Sequence, residues 1–304
     1  MRLARLAALA AIFSFAILPT GTALAADTLS ASDCPKGAEL RGEAPPKGTE
    51  QRCVLILAGD ETLHGPIIGW HANGQKAAEG NYYRGLKDGT FLSWYENGQK
   101  KLEVTYRKGK AHGPETSWNE QGQKIHHAEY MDGEPDGTWT LWYPTGQKRE
   151  VKHFKNGKPT GTWTFWRENG QKLEEGGYLG GEKTGVWTTW HESGQKNEET
   201  SFAHDIEHGP YTIWYQNGRK WVEGAYENGK KVGIEKRWYK TGERKAEISY
   251  IDGKREGISA TWYRNREPQS EILYRDDRRD GNARFWNDAG EMRVVTYRKG
   301  KVAE

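Results

Sequence analysis

Cysteine is almost missing from this 304-residue chain, which has only Cys34 and Cys53. Two are too few for a disulfide scaffold, and no CxxC redox pair occurs. Beyond Ala25 no apolar run approaches spanning length, which argues against a bundle of membrane helices. No segment keeps a 3.6-residue apolar period over helical length, so helix is expected almost nowhere past the leader. Hydrophobic residues make up 35% of the chain, too little for a thick globular core but adequate for one extended sheet. An excess of one charge is lacking as well. Without Arg2 and Arg5, the two charges of the leader, 43 basic residues face 42 acidic ones. A polyanion binder carries a clear positive excess, so nucleic acid is a poor fit as partner. Neither HExxH nor GxSxG occurs. The near match to a phosphate loop at Gly224–Lys231 lacks its final Ser or Thr and any helix behind it.

Tryptophan is abundant and placed at one unvarying interval. Trp70, Trp94, Trp118, Trp142, Trp166, Trp190, Trp214, Trp238, Trp262 and Trp286 recur with a 24-residue period and no slip. Glycine stands five residues before every one of them, from Gly65 to Gly281. Another glycine stands four after each, Arg266 alone excepted, and an aromatic stands twelve after from Tyr82 to Tyr274. A fixed period of this length is the mark of a repeat array. Within a unit, Gly161–Arg167 (GTWTFWR) has strand composition. The Asn169-Gly170 pair offers a hairpin turn with positive φ, and Lys172–Tyr178 returns as a second strand. Connections this short make neighbouring strands antiparallel. The fold class expected is therefore all-β: an elongated, open, single antiparallel sheet of about ten tandem 24-residue hairpins. Stacked ladders of Trp and Tyr should hold it together, with nearest-neighbour contacts between units.

The segment Met1–Ala25 reads as a signal peptide. Arg2 and Arg5 form the basic start, Leu6–Leu18 (LAALAAIFSFAIL) the apolar core and Ala23-Leu24-Ala25 the cleavage pattern, with cleavage before Ala26. No lipobox cysteine follows it, so the mature chain is expected in the periplasm or outside the cell. Residues 26–58 form a polar segment with a first edge strand, and 59–304 the array. In an exported chain the two cysteines favour a Cys34–Cys53 bridge. Closing a loop near this length stabilises by about 3 kcal/mol. Val54–Thr62 is expected to be an incomplete strand lying along the first hairpin. The ninth unit is degenerate, with Arg266, Pro268 and the charge run Arg275–Asp280, and it reads as a cap at the far end.

The unit G-x-W-x-x-W-x-x-x-G-Q-K-(x)5-Y-x-x-G-K resembles the MORN repeat in its bacterial variant form, from about Gly65 to the C-terminus. That resemblance implies serial hairpins in one twisted sheet. It implies a scaffolding role by analogy with eukaryotic relatives, for some of which lipid binding has been proposed. Some bacterial members, the YwqK-like proteins, carry the label antitoxin. A signal peptide fits poorly with an antitoxin that meets its toxin in the cytoplasm.

Candidate chemistry is sparse. His64, His112 and His208 precede the recurrent glycine, where Asp and Thr also occur, which marks a polar turn position rather than a metal site. Glutamate recurs nine residues after the frame tryptophan and lysine six after, a pattern that a cross-strand ladder of opposite charges explains. No metal, cofactor or catalytic residue is assigned, and an enzyme is not expected. One column varies: three residues before the frame tryptophan stand Trp139, Trp163, Trp187 and Tyr211 in the middle units, and smaller or charged residues in most of the others. Three is odd, so this stripe faces away from the frame tryptophans, accompanied by Tyr143, Phe165 and Tyr215. It is the candidate surface for a protein or glycan partner in the envelope, with sheet packing as the competing explanation. A membrane surface ranks behind both. The function expected is an exported, non-enzymatic binding scaffold; the alternative is an antitoxin-like protein that neutralises a toxin by direct binding.

Overall fold

The computed structural model describes residues 27–303, so the signal-peptide segment 1–25 lies outside the described residues. The only helical turn among them is the 3-10 turn Ala31–Asp33. Everything else regular is strand. One open antiparallel sheet of 26 strands runs along the chain, each strand pairing with its neighbours in sequence except where a strand is split into two pieces that pair with the same preceding strand. The twenty strands expected from ten hairpins are all there. Three are split in two, as at Leu86–Lys87 and Gly89–Trp94, and the remainder are added at the two ends. At about 4.8 Å per strand the sheet extends on the order of 100 Å.

Two kinds of turn alternate. Between units the chain reverses in two residues, as at Arg84-Gly85, Asn156-Gly157 and Asn228-Gly229, with positive φ at both. That is the type I′ geometry that matches strand twist. Within units the turn differs from the expectation: Asn169 is not left-handed and only Gly170 is, at φ 82°. The Arg167 amide donates to Gln171 and the Gly170 amide to Arg167, at 2.8 and 2.9 Å. This is a type I turn closed by a left-handed residue. Its asparagine serves through the side chain, whose oxygen accepts from the Gln171 amide at 3.0 Å.

Arg266 takes the left-handed glycine position of the ninth unit at φ 73°. A side chain there costs roughly 1–2 kcal/mol. Arg266→Gly is therefore expected to raise stability by about 1 kcal/mol, read as a higher urea midpoint for the C-terminal repeats. An unchanged midpoint would show that the turn tolerates arginine without strain.

Two bulges recur along the array and shape both faces. Where a unit's first strand meets the previous unit, four residues advance against two: Gly177 pairs with Thr184 and Glu175 with Thr188. Gly185, Val186 and Trp187 thus bow out opposite Gly176. The glycine five before the frame tryptophan starts this bow and has positive φ in all ten units, 68° at Gly185 for example. The second bulge sits at the frame tryptophan, where Phe165 pairs with Glu174 but Trp166 with Lys172. One extra residue, Leu173, separates them. The last unit lacks this second bulge, Phe285 pairing with Arg293 and Trp286 with Met292.

At the N-terminus β1 (Glu39–Glu43) pairs with β2 (Glu50–Leu57), and β2 with β3 (Asp60–Trp70), the first strand of the array. Val54–Thr62 is thus not one strand. It turns at Ala58-Gly59, both at positive φ, and returns as β3. Cys34 and Cys53 are disulfide-bonded with Cα atoms 5.5 Å apart. Cys53 and Val54 are 0% and 1% exposed, and Trp70, whose amide donates to the Thr49 carbonyl, is 4% exposed. The other nine frame tryptophans are only half-buried.

Candidate functional site

The two faces of the sheet carry different chemistry. On the frame face tryptophan rings meet cations rather than other frame rings. Lys76 lies 5.5 Å from the centre of Trp94, Lys100 5.3 Å from Trp118, Lys172 5.5 Å from Trp190 and Arg244 5.1 Å from Trp262. Cations of the same column hold the recurrent glutamates: Lys76–Glu79 and Lys100–Glu103 at 2.8 Å, Lys172–Glu175 at 2.6 Å, and Lys196–Glu199. These pairs lie within one strand, not across two. The bulge at the frame tryptophan adds a residue between them, so positions three apart come to share a face. Such exposed pairs are worth well under about 1 kcal/mol each. The expected stacking of frame tryptophans into their own ladder does not occur.

The ring ladder is on the opposite face. It interleaves the variable column, three residues before the frame tryptophan, with the aromatic column twelve after it. From Tyr130 through Trp139, Phe154, Trp163, Tyr178 and Trp187 to Phe202, successive ring centres lie 4.5 to 6.4 Å apart. Tyr211 continues it with Tyr226 at 4.7 Å. The indole N–H groups close the bulge. Trp163 donates to the carbonyl oxygen of His153 at 3.1 Å and Trp187 to that of Gly177 at 3.2 Å. Buried carbonyls need such a partner once the ladder of strand hydrogen bonds skips them.

The candidate stripe is thus assembled in part. Trp139, Trp163, Trp187, Tyr211 and Phe165 share the ladder face, Phe165 lying 6.5 Å from Trp163. Trp187 and Tyr211 are 6% and 4% exposed, whereas Trp139, Trp163 and Phe165 are half-buried. Tyr143 and Tyr215 sit at the within-unit turns and tie repeats together. Their hydroxyls donate to the carbonyl oxygens of Trp166 and Trp238 at 2.8 and 2.9 Å. Tyr95, Tyr239 and Tyr263 make the same bond to the next frame tryptophan. Tyrosine recurring one place after the tryptophan was the sequence signal for that tie.

Two acids interrupt the stripe column, Glu115 and Glu235. Glu115 lies 3.6 Å from His126, whose ring packs edge-on against Trp139. Glu235 is 2% exposed. It accepts from the Tyr211 hydroxyl, from Lys231 and from Arg237, the last at 2.6 Å through Nε. Burial alone would raise its pKa, but those three donors outweigh it and hold the carboxyl below its ordinary value. The Tyr211 phenol is pushed far up by burial first and by Glu235 second. Nothing in the sequence pattern marked this cluster, since its members are spread over two units.

The histidines are engaged in structure. His64, His112 and His208 accept from the turn amides of Arg84, Asp132 and Asn228 at 3.2 to 3.4 Å. Asp88 and Asp136 do the same for Lys108 and Asn156. His127 and His153 bond to the hydroxyls of Thr116 and Thr138.

A family model described as "MORN repeat variant" matches residues 87–108, 135–156, 183–204 and 231–252. The matches start two repeats apart, so they mark alternate hairpins of one register. The chain carries MORN repeat variants. No curated protein matches the chain. A solved structure titled "Crystal Structure of TcdB2-TccC3-Cdc42" aligns with 85% of this chain and 16% of that one, at 11% identity and a TM-score of 0.20. The chain thus spans about a sixth of that structure's length, and at such a score the likeness bears on neither fold nor function. No helix among the described residues is long and apolar enough to cross a membrane. The bonded cysteine pair fits a non-reducing compartment.

Proposed function

We propose that this MORN-variant chain is an exported, non-enzymatic scaffold that holds a protein or glycan partner in the cell envelope along its ladder face. The supporting observation is the unbroken run of rings from Tyr130 to Phe202 on a face that no second layer of the described chain covers. Half-buried Trp139, Trp163 and Phe165 give that face apolar area for contact. Rigid amphipathic rings bind at low entropic cost. Export is supported by the leader sequence and the disulfide.

Two measurements test this reading. N-terminal sequencing of the mature protein should begin at Ala26; a retained Met1 would place the chain in the cytoplasm. Cross-linking in the native envelope should yield a defined adduct that Trp163→Leu combined with Phe165→Thr abolishes. Both positions are half-buried, so the fold should survive, as a retained β-sheet circular dichroism spectrum would show. An adduct unchanged by that pair of substitutions would remove the ladder face from the proposal.

A further inference from the structure

The frame face carries a feature that neither the ladder nor the family match uses. Four residues before the frame tryptophan, at the apex of the four-against-two bulge, side chains project outward. Six units place Thr, Asn or an isolated Pro there: Pro66, Thr90, Pro114, Thr138, Thr162 and Asn282. Four consecutive units place Val186, Pro210, Ile234 and Ile258. Val186 and Ile234 are 53% exposed and Ile258 is 56% exposed, and Pro210 is exposed as well. Their cross-strand partners are Ser201, Ala225, Ser249 and Leu273, so small or apolar residues fill the steps between. Ser201 and Ser249 turn their hydroxyls to the carbonyl oxygens of Pro210 and Ile258 at 2.9 and 3.0 Å. The result is a stripe without charge in a chain that is 29% charged.

We infer that this stripe is a docking track for an uncharged, proline-rich segment of a partner polypeptide in the polyproline II conformation. Pitch is the first ground. Members of the stripe recur every second strand, about 9.6 Å. A polyproline II helix repeats every three residues at about 3.1 Å each, so one of its faces recurs about every 9.3 Å. Over the three steps from Val186 to Ile258 the two drift apart by only about 1 Å. An extended β-strand ligand would present a face about every 6.7 Å and fall out of step at once. Charge is the second ground. The flanking Lys196–Glu199 and Lys220–Glu223 pairs neutralise each other, and the stripe's own side chains offer a charged ligand no partner. Polyproline II leaves its carbonyls unpaired. Lys236, on the same face as Ile234, is held only loosely by Glu223 at 3.7 Å and can donate to them. Size argues against a second copy of this chain as occupant. A stable interface takes about 20–30 residues a side, and the stripe offers four exposed side chains and their small partners.

This inference concerns the opposite face from the ladder and stands independently of it. The test uses the full mature chain and a fluorescent peptide of repeated Leu-Pro-Pro triplets. Two control peptides go with it, one of Leu-Gly-Gly triplets and one alternating Leu and Thr. Fluorescence anisotropy should show saturable binding of the first peptide alone. Ile234→Asp with Ile258→Asp should weaken it by roughly tenfold or more. Thr90→Asp with Thr162→Asp, in the same column outside the stripe, should leave it unchanged. Should the aspartate pair lower the melting temperature, Ile234→Thr with Ile258→Thr substitutes the residue that other units carry there, and the same loss is expected. No saturable binding, equal binding of all three peptides, or binding retained by the stripe variants would overturn the inference. So would concentration-dependent self-association that the stripe variants abolish, since it would assign the stripe to a second copy. Trp163→Leu with Phe165→Thr should leave peptide binding intact, which separates this outcome from that of the ladder-face proposal.

Discussion

Glu235→Ala should lower stability by about 1–3 kcal/mol at neutral pH, the range for leaving a buried hydrogen-bonding group without its partner. The carboxylate is 2% exposed and shares its two oxygens among Tyr211, Lys231 and Arg237. Removing it leaves the Tyr211 hydroxyl, itself almost wholly buried, without an acceptor, and takes the carboxylate from Lys231 and Arg237, which are both partly exposed. The loss should also depend on pH. The folded carboxyl titrates below its ordinary value of 4.5. Its stabilisation is therefore fully present above that value and drains away as pH falls through the lower, folded one. Wild type and variant should converge in acid. On the alkaline side the raised phenol of Tyr211 acts in the opposite sense: its contribution holds below its ordinary value of 10 and is lost as pH rises beyond. Urea midpoints at pH 7 and at pH values below that of a free carboxyl decide the matter. A gap that stays constant on acidification would mean that volume, not charge, is what Glu235 supplies. Hydrogen exchange adds a local readout. In a repeat array each unit is held by its neighbours, so protection should fall first in Ile206–Trp214 and Lys230–Trp238, the strands that carry Tyr211 and Glu235.

How much of this was legible beforehand follows from what repeats and what does not. The regular tryptophan interval fixed the hairpins, the open sheet and the face on which each column lies, because alternation and turn chemistry are local. The polar role of His64, His112 and His208 was readable for the same reason: an interchange with Asp at one turn position implies a shared acceptor. The bulges were not readable. One arises within a unit, at the frame tryptophan, and the other where units meet, from a positive-φ glycine that bows its own strand away from its neighbour. Missing them led to the charged pairs being expected across strands when they lie along one, and hid the exposed bulge apex of Val186 and Ile234. The Glu235 cluster escaped because Tyr211 and Glu235 stand one repeat apart in the same column, where a charge looks like drift rather than a partner. The ring ladder was half visible. Both of its columns were recognised, but only the structure shows that they interleave.

That interleaving gives the variable column a packing logic, and Gly176→Ile tests it. Trp187 lies flat on Gly176: a Cβ added there would come within 2.1 Å of the indole ring. The ring cannot yield cheaply, since it donates to the Gly177 carbonyl, packs edge-to-face with Tyr178 and lies under Lys183 at 3.9 Å. Overpacking of this kind costs about 1–3 kcal/mol, and losing the indole hydrogen bond adds about 1 kcal/mol. A loss of about 3 kcal/mol is expected from the two together, seen as a lower urea midpoint and weakened protection of Glu182–Trp190. The remedy is already written in the same chain. Gly80 faces Phe91 as Gly176 faces Trp187, a ring over a bare backbone. Near the C-terminus the volumes are exchanged, with Ile272 opposite Ala283 in register and both buried. Adding Trp187→Ala to Gly176→Ile recreates that second combination, so the double variant should recover most of what the single one loses. Volume-conserving exchanges across a packed contact are the ones cores tolerate. If the second substitution instead deepens the loss, Trp187 contributes something that volume does not replace, and its bond to the Gly177 carbonyl becomes the interaction to isolate by a double-mutant cycle.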